Sequence, residues 1–232
     1  KSIIERSKEN VVIQQELEDK LKKLKAAQLD MLQAQINPHF LMNTLQQLQT
    51  EIVYGNVEES NDIIVDLSKM LRYSLYNYEE IVPIGMELQY IQSYLELFTR
   101  KYEGELQVKY EITEEIKGYY MLKMLLQPIV ENCIMHAFGE NPHGALIKLS
   151  VSKKKDEFLF CIEDNGTGMT EEQLAILIED LNISEIDNRR IGIRNIHQRI
   201  RLKYGEKYGV YIESKEGYGT KFELKLPLIN HS

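Results

Sequence analysis

In the run QINPHFLMNTL, Pro38 and His39 stand side by side with Asn43 four residues on, so a helix here puts Asn43 one turn from the imidazole. A neutral imidazole keeps a ring lone pair near pH 7, which makes His39 competent to accept a phosphoryl group. Pro38 cannot donate to the carbonyl of Ala34. A kink is expected there, turning the ring towards solvent and making Pro38 a candidate hinge. By themselves these residues are equally well explained by an incidental kink beside a partly exposed histidine. Further on, LLQPIVENCIMHAF sets Asn132 and His136 on one helical face, with Ile129, Cys133 and Ala137 towards a core. The amide oxygen of Asn132 can ligate magnesium without adding charge beside a polyphosphate. Read alone, the pair is more simply the wet side of an amphipathic helix.

Three glycine-bearing turns follow. In EDNGTGMTEEQL, Asp164 closes a strand, Gly166 and Gly168 allow the backbone to approach a ligand, and Thr170 and Gln173 have capping-box spacing. A carboxylate at Asp164 can accept an adenine amino hydrogen, which selects adenine over guanine. In RRIGIRNIHQRI, Gly192 lies near a helix start, where free amides and the positive dipole end suit phosphate. Arg189, Arg190 and Arg194 add either phosphate contacts or solvated charges. In EGYGTKFELKLP, Gly217 and Gly219 form a turn before Thr220 and a strand of alternating Phe222, Leu224 and Leu226.

The elements that must position these residues divide near residue 104. Before it, glycine is absent from Lys1 to Tyr54, and Leu17, Leu21, Leu24, Gln28 and Met31 follow coiled-coil spacing. The seam resumes as Leu41, Leu45, Leu48 and Ile52, stops at Gly55-Asn56, and is answered by Ile64, Leu67, Leu71, Ser74 and Tyr78. One such hairpin cannot cover both stripes, so dimerisation into a four-helix bundle is expected. A third amphipathic segment, Met86 to about Tyr102, carries Leu88, Ile91, Leu95 and Phe98. After residue 104, strands are expected at Leu106–Ile112, Ala145–Val151, Glu157–Glu163, Val210–Glu213 and Phe222–Leu226, and helices at Leu122–Phe138, Thr170–Leu181 and Ile191–Tyr204. This order predicts an α+β sandwich. Asn182–Arg190, polar and charge-rich, is the expected mobile stretch.

Composition sets bounds. With 43% hydrophobic and 28% charged residues among 232, the chain can bury a core of one large or two small domains. A net charge of -8 argues against direct nucleic-acid binding. Cys133 and Cys161 lie in apolar runs and read as reduced thiols. No run is long enough to cross a bilayer, and the chain opens without Met in what reads as mid-helix, so a piece of a longer parent is expected.

QINPHFLMNTL resembles the phosphoacceptor segment of LytS/YesM-type sensor histidine kinases, with Met42 where Phe is usual. The similarity continues through LRYSL (71–75) and GMELQYIQSYLEL (85–97) and covers roughly residues 25–228. Residues 125–138 resemble the N-box of the GHKL ATPases, and the three turns resemble its successive glycine boxes. The second box departs from the pattern, with Arg190 replacing its first glycine. The resemblance implies a signalling coiled-coil helix (1–24), dimerisation and histidine-phosphotransfer helices (25–103), and a GHKL-type catalytic ATP-binding α/β sandwich (104–232), a mixed sheet with helices on one face. It implies His39 as phosphoacceptor, with Asn43 orienting the acceptor or a hydrolytic water. Asn132 would hold Mg2+, and His136 would contact phosphate. Asp164 would bind adenine with support from Thr220, and Gly166, Gly168, Gly192, Gly217 and Gly219 would shape the ATP site. The implied partners are a second copy, through the hairpin, and the receiver aspartate of a response regulator. The implied setting is the cytoplasmic portion of a bacterial inner-membrane protein. Phe40 stands where many histidine kinases place an acidic residue, so the general base is unassigned, with Glu131 or solvent as candidates. Two alternatives stay open: a non-catalytic dimeric scaffold with a degenerate nucleotide site, and a GHKL ATPase that forms no phosphohistidine.

Overall fold

The alternation of apolar residues in the C-terminal half becomes a five-stranded sheet whose register decides which side chains meet. The computed structural model describes residues 38–76, 80–102, 105–138, 143–182 and 192–229. Its strands are β2 (Leu106–Glu111), β4 (Ala145–Lys154), β5 (Glu157–Asp164), β6 (Gly209–Lys215) and β7 (Gly219–Pro227). They run in the order β2-β4-β5-β7-β6. Only β2 and β4 are parallel. Leu149, Ile162, Phe222 and Ile212 form one cross-strand row, and Val151, Phe160, Leu224 and Val210 the next. All of these are buried. The opposite face is a charge ladder, in which Lys221 pairs with Glu223 at 2.6 Å and Glu213 at 3.7 Å, and Lys225 pairs with Glu157 at 3.0 Å. One face therefore packs and the other meets water.

The apolar face is covered by α4 (Gln127–Asn132) with its continuation Cys133–Ala137, by α5 (Glu171–Asn182) and by α6 (Ile193–Tyr204). The expected capping box opens α5. The amide of Thr170 donates to Gln173 Oε1 at 3.0 Å, and the amide of Gln173 donates to Thr170 Oγ1 at 3.2 Å. Gly205, at φ +96°, closes α6 with its amide on the Arg201 carbonyl at 2.8 Å. Cys133 and Cys161 are free and buried.

Two features differ from the sequence expectation. The helix expected over Leu122–Phe138 starts only at Gln127, because β3 (Tyr120–Leu122) pairs antiparallel with β1 (Ile81–Pro83) and Met124 then turns through φ +59°. The hairpin of α1 (Pro38–Tyr54) and α2 (Val57–Tyr76), reversed at Gly55 with φ +78°, is partly covered within the chain by α3 (Ile84–Lys101). Phe40 packs tilted against Tyr94 and stacks on Phe98, with ring centroids 4.8 and 5.4 Å away, and Arg100 reaches Glu59 and Asp62 at 3.0 and 3.2 Å. α3 can do this because it is apolar or aromatic on several sides: Leu88, Tyr90, Ile91, Tyr94, Leu95, Leu97 and Phe98 are all buried. Met42, Leu45 and Ile52 on α1 stay exposed, as do Ile64, Val65 and Leu75 on α2. The coiled-coil seam before Pro38, the kink that would turn His39 and the charge-rich stretch 183–190 fall on residues or side chains outside the described set.

At the sheet edge, buried His197 on α6 places Nδ1 3.2 Å from both the amide and the carbonyl of Val210. Burial, with Arg201 nearby, holds its pKa below the ordinary histidine value, against smaller opposing effects of the Val210 backbone bond and Glu206. The unfolded chain then takes up a proton near pH 6.5 that the folded chain resists. Stability from this residue is present above that pH and lost as pH falls through it. The expected result is a melting temperature that falls more steeply between pH 7.5 and 5.5 in the parent chain than in His197→Gln.

Candidate functional site

Asp164 ends β5 on the buried face, in the row Ile147, Asp164, Thr220 and Ser214. A carboxylate there needs donors, and the turn after it supplies them. Oδ1 accepts from the amide of Gly166 at 3.0 Å and the amide of Thr220 at 3.2 Å, and the Cys133 thiol also bonds the carboxylate. Burial raises the carboxyl above its usual range, and these three bonds oppose the shift. Thr220 therefore supports Asp164 through its backbone. Its hydroxyl meets Ser214 Oγ at 2.9 Å, and that oxygen also accepts from the Met169 amide at 2.9 Å.

The glycines of these turns serve mainly to let chain segments touch. A Cβ on Gly166 would overlap the Ala137 carbonyl, the same oxygen that accepts from the Thr167 amide at 2.9 Å. Gly168 at φ +64° and Gly219 at φ +100° have no room for a Cβ, against the carbonyls of Lys215 and Asp164 respectively. Gly217, at φ +77°, stands in open space, and its amide donates to Thr167 at 2.7 Å. The first and last turns are thus stitched into one loop pair. Asn165 braces it from the other side, accepting from Leu146 at 2.7 Å and donating to Gly144 at 2.9 Å.

Above this loop pair, the chain leaves α4 at Asn132 and widens into a π-turn over Cys133–Ala137. Cys133 and Ala137 face the core, while Asn132 and His136 face a cleft of about 630 Å³. Asp164, Gly168, Gly192 and Thr220 line the same cleft. Met169, Leu177 and Phe222 add an apolar wall suited to a flat base. Gly192 is the residue before the first turn of α6, where amides point outward. Gly166, Gly217 and Gly219 are not among the residues that line the cleft, and Arg189 and Arg190 lie outside the described residues. Arg194 is buried, lies 3.5 Å from Asp180 and lines the cleft with it. Among the described residues, no cluster of three His, Cys, Asp or Glu could hold a metal unaided. A cation beside Asn132 would depend on phosphate oxygens, which is how Mg2+ is usually held at nucleotide sites.

α4 also has a second wall. Glu131 turns away from the cleft into a cavity of about 90 Å³ shared with Phe40 and Asn43 of α1 and with Tyr94 of α3. It accepts from Gln127 Nε2 at 2.8 Å and from Tyr94, and burial raises its pKa. Phe40, beside His39, is the anchor that docks α1 here. The sequence reading passed over Ser214 and the Cys133–Asp164 bond, because only strand register brings these residues together. It also missed Glu87, which is inside the GMELQYIQSYLEL run (85–97) but looks like an ordinary acidic first-turn residue.

Residues 27–106 match the family described as histidine kinase, and residues 121–230 match the family of histidine kinase-, DNA gyrase B- and HSP90-like ATPases. The sensor protein kinase HptS of Staphylococcus aureus (strain USA300) is 31% identical over 207 residues, which is 89% of this chain and 39% of that protein. The chain thus spans about 39% of the length of the curated relatives it matches. Among solved structures, the catalytic domain of histidine kinase ThkA aligns with TM-score 0.49 and 15% identity, over 65% of this chain and 97% of that one. ThkA in complex with the response regulator protein TrrA aligns with TM-score 0.47 and 15% identity, over 92% of this chain and 63% of that one. Among the described residues no helix is long and apolar enough to cross a membrane.

Asp164→Asn separates the cost of the buried charge from its use. Asn keeps an Oδ1 for the two amides but presents N–H where a ligand's amino group needs an acceptor. Thermal melting without nucleotide is expected to be unchanged or higher, and the further rise on adding ATP is expected to disappear.

Proposed function

The chain belongs to the histidine kinase family, and from that premise we propose that it phosphorylates its own His39 from Mg-ATP and passes the phosphoryl group to an aspartate of a response regulator. The observation that carries this reading is the convergence on one cleft of Asn132, His136, Asp164, Gly168, Gly192 and Thr220, drawn from four separated segments. The helix that bears His39 packs on the other side of the N-box through Phe40 and Asn43.

Asp164, aimed by the Gly166 and Thr220 amides, accepts the adenine amino hydrogen, while Met169, Leu177 and Phe222 flank the base. The start of α6 at Gly192, with His136, receives the phosphates. Asn132 would hold Mg2+, which when bound neutralises phosphate charge. Nε2 of His39 then attacks the γ-phosphorus with its lone pair, in line with the departing ADP oxygen, and Asn43 orients the ring. The rate comes mainly from positioning and charge neutralisation. Gly166, Gly217 and Gly219 act indirectly, by keeping the loops beneath the cleft in register. The uncovered stripe of Met42, Leu45, Ile52 and Ile64 supports a homodimer through α1 and α2, and the same hairpin offers the receiver domain its docking face. The protein is read as membrane-anchored, with its signal arriving through the segment that precedes Pro38.

Incubation with γ-labelled ATP and magnesium is expected to leave an acid-labile, base-stable label that mass spectrometry maps to His39. His39→Gln should lose all of it, and Asn132→Ala should slow labelling by roughly 100-fold or more. A wild-type chain that hydrolyses ATP without labelling, or a label that survives His39→Gln, rejects the kinase reading.

A further inference from the structure

A second buried carboxylate lies outside the cleft. Glu87, in the first turn of α3, is fully buried among apolar residues. Its Oε2 accepts from the Met124 amide at 2.9 Å and from the Tyr73 hydroxyl of α2, and its Oε1 accepts from the Leu126 amide at 3.0 Å. The turn it holds, residues 123–126, contains Met124 at φ +59° and leads directly into α4. A non-glycine residue in that conformation persists only where its surroundings fix it.

The grip on this turn comes from every side. Arg199 of α6 donates to the Lys123 and Met124 carbonyls at 2.8 and 3.4 Å. Lys123 Nζ reaches the Ser74 carbonyl of α2 at 3.3 Å and lies 5.1 Å over the Tyr73 ring. Leu126 then accepts the first bonds of α4, from Ile129 at 3.2 Å and Val130 at 3.1 Å, and six residues on stands Asn132. One carboxylate therefore ties the phosphoacceptor hairpin, the helix beneath it and the launch point of the N-box, while Arg199 ties the same turn to α6, the helix that follows Gly192.

The geometry points to Glu87 as the positioning residue of the nucleotide site: it sets the N-box relative to the helical hairpin through Met124 and Leu126, and Tyr73 carries the position of α2 to it. This inference rests on the cleft being a nucleotide site. Coupling of this kind is reciprocal, so movement of α2 changes nucleotide affinity and nucleotide binding changes the hold on α2.

Two variants separate the links. Glu87→Gln places an N–H2 against one of two amides that both need an acceptor, whereas Tyr73→Phe leaves both amide bonds and removes only the hydroxyl tie from Glu87 to α2, the Lys123 contacts with α2 remaining. Binding of a fluorescent ATP analogue with magnesium is measured at a temperature where circular dichroism shows each full chain folded. The expected dissociation constants rise about tenfold for Glu87→Gln and about threefold for Tyr73→Phe. A purely structural role predicts lower melting temperatures with unchanged affinity, and that result overturns the inference. Should Glu87→Gln not fold, Tyr73→Phe decides, and affinity equal to the parent's overturns it. Failure of the parent chain to bind the analogue rejects the nucleotide reading instead, and binding without phosphohistidine rejects only the kinase step.

Discussion

A carboxylate inside an apolar core must be met by hydrogen-bond donors, and two such groups fix how the parts of this protein sit against one another. Asp164 draws the amides of Gly166 and Thr220 and the thiol of Cys133 to the end of β5. Glu87 draws Tyr73, Met124 and Leu126 to the start of α3. Each gathers donors from segments far apart in the chain, because an unpaired buried charge costs far more than an ordinary lost contact. The first constraint builds the floor of the cleft, and the second sets where the helix above it begins.

Between them runs the short helix with the π-turn, which presents a different chemistry on each side. Asn132 and His136 face the cleft, whereas Glu131 faces α1 and is bonded by Gln127 and Tyr94. Neighbouring residues in one helix thus face the cleft and α1 separately. Glu131, a candidate base on sequence grounds, meets α1 rather than the cleft. Burial at the cleft is maintained by bare backbone contacts at Gly166, Gly168 and Gly219, so the loops cannot drift apart without losing hydrogen bonds as well as packing.

Much of the C-terminal half was legible from period and punctuation. Strands β2, β4, β5, β6 and β7 fall where alternation placed them, and the Thr170–Gln173 box opens α5. The candidate site was legible because its residues sit in short runs with unusual composition, such as the asparagine and histidine of the N-box and the glycine turns. Less legible was the stretch from Ile81 to Leu126. There a three-residue strand pairs with another across forty residues, and a helix expected from Leu122 is delayed until Gln127. The covering of the hairpin by α3 was missed for a similar reason, since the stripe on α3 was read as one face when the helix is buried on several.

The sequence by itself determined the family resemblance, the order of the functional segments, the sheet's alternation and the residue types able to bind a nucleotide. These depend on local spacing, and spacing is written along the chain. Only the tertiary structure decided that Thr220 holds Asp164 through its amide, that Gly166 serves the Ala137 carbonyl, that Arg194 pairs with Asp180 and that Glu87 grips the N-box turn. Those choices depend on which donors reach a buried acceptor once the strands are in register, a question of distance through space that no period along the sequence encodes.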